Sequence, residues 1–223
     1  MKITLFLSAA GKFLLGVLLV GVLIFLPAGT LSFWNGWLLT AVLFLPMLAA
    51  GIWMLLAHPA LLQKRLDAKE KRSEQSTVVK LSGLMFVIGF TVAGLGVRFG
   101  WYSLPRWLSL VFAAVFLCGY LLYALVLKQN AYVSRVIEVQ QGQTVVDTGL
   151  YAVVRHPMYS ATLLLFLSMP LVLGSLYALA VFAFYPFIIA KRIRDEEALL
   201  EQQLEGYRAY QQKVKYRLIP FIW

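Results

Sequence analysis

Two short stretches hold most of the side chains in this sequence that could do chemistry. In "TGLYAVVRHPMY" (148–159) the phenols of Tyr151 and Tyr159, the guanidinium of Arg155 and the imidazole of His156 crowd together just before a long apolar run. Pro157 suits the first turn of a helix, where its missing N–H costs nothing. Arg155 and His156 therefore stand at a helix N-terminus, where free N–H groups and the positive dipole end favour an anion such as a ligand carboxylate. The plainer alternatives are interfacial capping for His156, and topology or lipid phosphate for Arg155. In the second stretch, "RIRDEEALL" (192–200), Arg192 and Glu196 are four apart and share one helix face. They form either part of a site or an ordinary ion pair worth about a few tenths of a kcal/mol. Lys191, Arg194, Glu197, Glu201 and Glu205 read as a solvated face. Tyr207 and Tyr210, three apart, can pack the tail back on the domain. "RLIPFIW" would be costly in water and is expected to dock on membrane or protein.

The elements that must position these groups are membrane helices. The 223 residues are 61% hydrophobic and 13% charged, an excess of apolar residues that no single water-exposed core can bury. The formal net charge is +10. Because the cations fall between apolar runs, they point to topology and anionic lipid and not to nucleic acid. Four runs are long enough to span: about Leu5–Leu26, ending at Pro27, then Phe33–Ala57, Val78–Val97 and Trp107–Leu127. A fifth region, Met158–Ala190, is too long for one helix. With breaks at Met169-Pro170 and Gly174-Ser175 it reads as a hairpin of two short arms or one strongly bent element. Lys64, Arg65, Lys69, Lys71, Arg72 and Lys80 follow the second run, and Lys128, Arg135 and Arg155 follow the fourth. The tail after Ala190 is also basic. All three segments are expected in the cytoplasm by the positive-inside rule. Phe33, Trp34, Trp37, Trp101, Tyr102 and Trp107 form an aromatic belt at the opposite boundary. The N-terminal apolar stretch is longer than the core of a signal peptide and reads as a first membrane helix.

Standard mechanisms leave few traces. There is no G-x-G-x-x-G or G-x-x-x-x-G-K-[ST] run, and no G-x-S-x-G elbow. Two histidines and one cysteine, Cys118, lie far apart, so no metal site is expected. The centres of the first four runs hold no charge, which leaves an ion path unsupported. The turn signals Gln141-Gly142 and Thr148-Gly149 frame a short apolar strip, Thr144–Val146. What remains is a polar pocket at the cytoplasmic ends of the helices.

"TGLYAVVRHPMY", "RIRDEEALL" and "GYRAYQQKVKYRLIPFIW" together resemble the isoprenylcysteine carboxyl methyltransferase family, and more distantly the related phospholipid N-methyltransferases. The strong resemblance covers about the C-terminal 100 residues. The runs above read as an all-α integral membrane protein, a multi-pass helical bundle of four full spans plus a C-terminal helical hairpin, and the resemblance implies a non-Rossmann cofactor pocket on its cytoplasmic face. One membrane domain would cover 1–223, with four helices in 1–127 and the S-adenosylmethionine-binding catalytic region in 128–223. By resemblance the cofactor pocket is lined by Gln143, Thr144, Val145, Val146, Tyr151, His156, Pro157, Met158, Tyr159 and Glu196. Arg192 is the substrate-side arginine and, with Glu196, the catalytic pair. Gln143 stands where eukaryotic members have histidine. The link from E-E to G-Y-x-x-Y is one residue shorter here, which leaves both Glu196 and Glu197 open as the site carboxylate.

The implied activity is S-adenosylmethionine-dependent methylation of a lipophilic or prenylated acceptor at the membrane, with carboxyl O-methylation of an isoprenylcysteine-type substrate first. A lipid-amine N-methyltransferase and a non-catalytic membrane binding protein or transporter stand as alternatives. Membrane lipids are the expected surroundings, without nucleic acid or an obligate protein partner. A prokaryotic plasma membrane is the expected location.

Overall fold

The computed structural model describes residues 2–67, 73–101, 103–133 and 137–223. Lys69, Lys71, Arg72, Tyr102 and Arg135 lie outside the described residues. Among those described there is no strand, and the helices are α1 (Lys2–Ala28), α2 (Trp34–Ala57), α3 (Pro59–Asp67), α4 (Ser73–Arg98), α5 (Arg106–Gln129), α6 (Pro157–Val172), α7 (Leu176–Phe182), α8 (Tyr185–Gln203) and α9 (Tyr207–Lys213). A single 3-10 turn, Gly149–Ala152, interrupts the loop before α6. The four long runs are helices α1, α2, α4 and α5, each long and apolar enough to cross a bilayer. Pro27 does not end the first; it sits in the last turn of α1. The protein is an all-helical integral membrane protein.

Packing follows from where small residues allow backbones to meet. α1 lies along α4 and α2, α5 along α6, and α4 along α7 and α8. Gly94 makes the first contact possible: a Cβ there would lie 2.5 Å from the Ile24 carbonyl oxygen and 3.0 Å from the Ala28 nitrogen. Ile24, Leu39, Phe116, Phe182 and Ile193 anchor one core shared by the long helices and the hairpin. The outer faces of α1 and α2 carry exposed Leu14, Leu15, Leu18, Leu45, Ile52 and Leu56, the surface that a lipid environment covers.

The hairpin is real, but its breaks are not all where the residues suggest. α6 runs straight through Met169-Pro170, because a proline in the last turn sacrifices only one backbone bond. The chain turns at Leu173–Ser175, with Gly174 at φ 74°. The returning arm then breaks again at Ala183–Phe184, before Pro186 restarts the helix in the first turn of α8. The tip reaches the far end of the bundle. The Leu104 N–H donates to the Gly174 carbonyl at 2.9 Å. The Asn35 amide donates to Ser109 Oγ at 2.8 Å and to the Val172 carbonyl at 2.9 Å. Trp101 and Tyr177 meet with ring centroids 5.0 Å apart. The tip is thus level with the α1–α2 and α4–α5 connections, and the two arms together traverse the bundle twice.

Candidate functional site

At the end opposite the hairpin tip, the loop after α5, the start of α6, the last turns of α8 and the helix α9 enclose a cleft. It holds about 820 Å³ between atoms, continuous with solvent. Each wall is held by bonds that the local sequence dictates. The Gln143 N–H donates to the Gln140 carbonyl at 3.0 Å, and the Gln143 side-chain oxygen accepts from the Gln140 N–H at 2.9 Å, closing the turn at Gln141-Gly142. Lys213 of α9 pairs with Asp147 at 2.7 Å and holds that carboxyl below the usual carboxylate range. The Tyr210 hydroxyl donates to the Tyr151 carbonyl at 2.7 Å. Tyr207 and Tyr210 are buried with Leu204 and Val214 in a small core of their own, so the tail does pack back on the domain. Burial pushes the Tyr151 phenol up to about 12 and raises those of Tyr207 and Tyr210 as well. All three remain neutral donors around neutral pH.

The structure brings most of the sequence-derived residues to this one cleft. Gln143, Thr144, Val145, Val146, Tyr151, His156, Met158, Tyr159 and Glu196 all line it. Pro157 does not: it is the fully buried first residue of α6, behind the wall. Arg192 also lies behind the lining, buried at 8% exposure, and reaches the cleft through Tyr159. Its Nε donates to the Tyr159 hydroxyl at 3.0 Å, and that hydroxyl donates in turn to Glu196 Oε2. Arg192, Tyr159 and Glu196 thus form one hydrogen-bonded chain from the helical core into the cleft.

One placement differs from the sequence reading, and two others decide between alternatives that it left open. Glu197 is not on a solvated face: it is 3% exposed, and both of its oxygens are bonded to arginines. Arg155 Nε donates to Oε1 at 2.7 Å and Arg217 Nε to Oε2 at 2.7 Å. Of the two glutamates, Glu196 faces the cleft and Glu197 faces away from it. Arg155 is not a lipid or topology anchor either, since its NH1 also donates to the carbonyls of Val214 and Lys215 at 2.7 and 2.9 Å. It does line the cleft, with its charge already met. Finally, the tail docks on protein through its backbone: the N–H groups of Arg155 and His156 donate to the carbonyls of Tyr216 and Arg217, both at 2.9 Å. Phe221 and Ile222 remain exposed.

Sequence reasoning missed Asn130, Tyr132, Ile137, Glu138 and Leu200 in the lining. Leu200 was within reach, because it follows Glu196 by four positions on the same helix face. The others come from an irregular loop, where no period marks which side chains turn inward.

These elements make a multi-pass helical bundle, an integral membrane protein with a mixed polar and apolar cleft at one end. Residues 108–202 match the model of the isoprenylcysteine carboxyl methyltransferase (ICMT) family. Among solved structures, the chain is similar to the eukaryotic intramembrane Ras methyltransferase ICMT at 19% identity. The match covers 99% of this chain and 85% of that one, with a TM-score of 0.49. No curated protein sequence matches the chain.

Proposed function

We propose that this protein is a methyltransferase that binds S-adenosylmethionine in the cleft, on the cytoplasmic face of the membrane. Its acceptor is lipophilic, with the carboxylate of an isoprenylcysteine-type molecule as the leading substrate. In this reading 1–127 is a four-helix membrane scaffold and 128–223 the catalytic region of a single domain. The observation that carries the reading is the chain Arg192–Tyr159–Glu196, which joins the helical core to the cleft. It would let one arginine address an acceptor held among the helices while the carboxylate addresses a polar ligand.

The residues present suit this cofactor. The Tyr207 hydroxyl is buried in the lining with no hydrogen-bond partner, an arrangement that costs about 1–3 kcal/mol unless a ligand supplies an acceptor. Tyr151 and Tyr159 offer ring faces to a cation or an adenine. Glu196 suits an ammonium or ribose hydroxyls, and the N-terminus of α6 beside His156 suits a carboxylate.

When bound, S-adenosylmethionine supplies an electrophilic methyl group for in-line displacement. Arg192 grips the acceptor carboxylate and Tyr159 holds the guanidinium in place. A carboxylate arrives ionised, so no residue has to accept a proton. An amine acceptor would need a base. Of the two candidates, Glu196 already accepts from Tyr159, whereas His156, held by Glu197 through Nε2, would have to take the proton at Nδ1.

The test is calorimetric titration of the purified protein with S-adenosylmethionine, beside His156→Ala and Glu196→Ala. Saturable binding that both substitutions weaken, followed by methylation of small prenylcysteines, is the expected result. A folded wild type that does not bind would overturn the reading.

A further inference from the structure

Glu197 and its two arginines have no part in the chemistry above, yet the cluster they form with His156 touches the cleft at Arg155 and His156. Three groups from two distant parts of the chain converge on this one carboxylate: the adjacent Arg155 and His156 just before α6, and Arg217 from the tail. Flanked by two guanidiniums, Glu197 is ionised and can only accept hydrogen bonds. The contact from His156 Nε2 to Glu197 Oε1 at 3.1 Å therefore requires that Nε2 carry the hydrogen. Nδ1 is then the imidazole's remaining polar atom. The tail completes the arrangement. Segment 214–223 closes on itself, with the N–H groups of Arg217, Leu218 and Ile219 all donating to the Trp223 carbonyl. The Arg217 guanidinium lies 5.2 Å from the centre of the Trp223 ring. Ser160 Oγ of α6 donates to the Leu218 carbonyl at 2.7 Å.

We infer that Glu197 is a positioning residue. It fixes the tautomer and orientation of His156 in the cleft, and through Arg217 it makes that setting depend on the folded C-terminal strap 214–223. An ion pair that served stability alone would not need the imidazole as a third partner. Nor would it have to tie the backbone of Arg155 and His156 to Tyr216 and Arg217. The inference rests on the proposed cofactor site only for its effect on affinity; the tautomer is independent of it.

The experiment is nitrogen-15 NMR of histidine-labelled full-length protein in detergent, paired with calorimetric titration of S-adenosylhomocysteine. The chain has two histidines, so His58→Gln assigns the spectrum. In wild type His156 should show the Nε2–H tautomer. Arg217→Gln, at a partner that is a third exposed, should shift the His156 signals and weaken binding several-fold. Glu197→Gln should do the same by about tenfold. In a His156→Ala background, Glu197→Gln should cause no further loss. If Glu197→Gln does not fold, Arg217→Gln alone decides. Unchanged His156 signals and unchanged affinity in the folded variant would overturn the inference, as would an equal loss with and without His156. If wild type shows the tautomer but binds no S-adenosylhomocysteine, the cofactor reading fails and the positioning role stands.

Discussion

The Tyr159 hydroxyl joins two charged groups that the sequence shows only as an i,i+4 pair. Tyr159→Phe keeps the ring and removes both bonds, to Arg192 and to Glu196. At about 1.5–3 kcal/mol for hydrogen bonds to charged partners, the proposed methyl transfer should fall about 10- to 100-fold. Steady-state kinetics at unchanged melting temperature would check this. Tyr151 carries a prediction in pH. Its folded value of about 12 lies above the value near 10 expected in the unfolded chain. The phenol therefore contributes its full stability below about pH 10 and loses it as pH rises through about 12. Tyr151→Phe should make thermal stability less sensitive to pH between those values, which a series of melting curves would show. The residue scale is also where the sequence was hardest to read. Arg192 and Glu196 were visible because helix spacing pairs them. Glu197 was misjudged because its partners lie 42 and 20 positions away, at Arg155 and Arg217, and no local period reports them.

The long apolar runs were legible as elements because burial in lipid demands uninterrupted hydrophobic length. Helix α3 was not foreseen, since nine residues with several charges carry no such signature. The hairpin's turn was legible at Gly174-Ser175, and there the requirement for glycine is twofold. The residue sits at φ 74°, and a Cβ would lie 2.8 Å from Ser103 Oγ. Gly174→Ala should cost at least about 1–2 kcal/mol from the left-handed backbone alone, read as a lower melting temperature in detergent. Gly94→Leu should separate α1 from α4 and destabilise by about 1–3 kcal/mol through overpacking. The second break, at Ala183–Phe184, escaped notice because Pro186 sits inside an apolar stretch whose composition does not change.

For the whole molecule, the charge pattern and the fold agree on two distinct ends. Cys118 is the only cysteine, so single-cysteine labelling in a Cys118→Ser background is straightforward. Ser103→Cys and Glu205→Cys should react with impermeant reagents from opposite sides of a sealed vesicle. Labelling from one side would contradict two traverses by the hairpin. Asn35, Ser109 and the carbonyls at the hairpin tip do more than finish the fold. By knitting the far ends of α2, α5 and α6 together, they pin the end of the bundle away from the cleft, so that a motion opening the cleft would pivot about a fixed base.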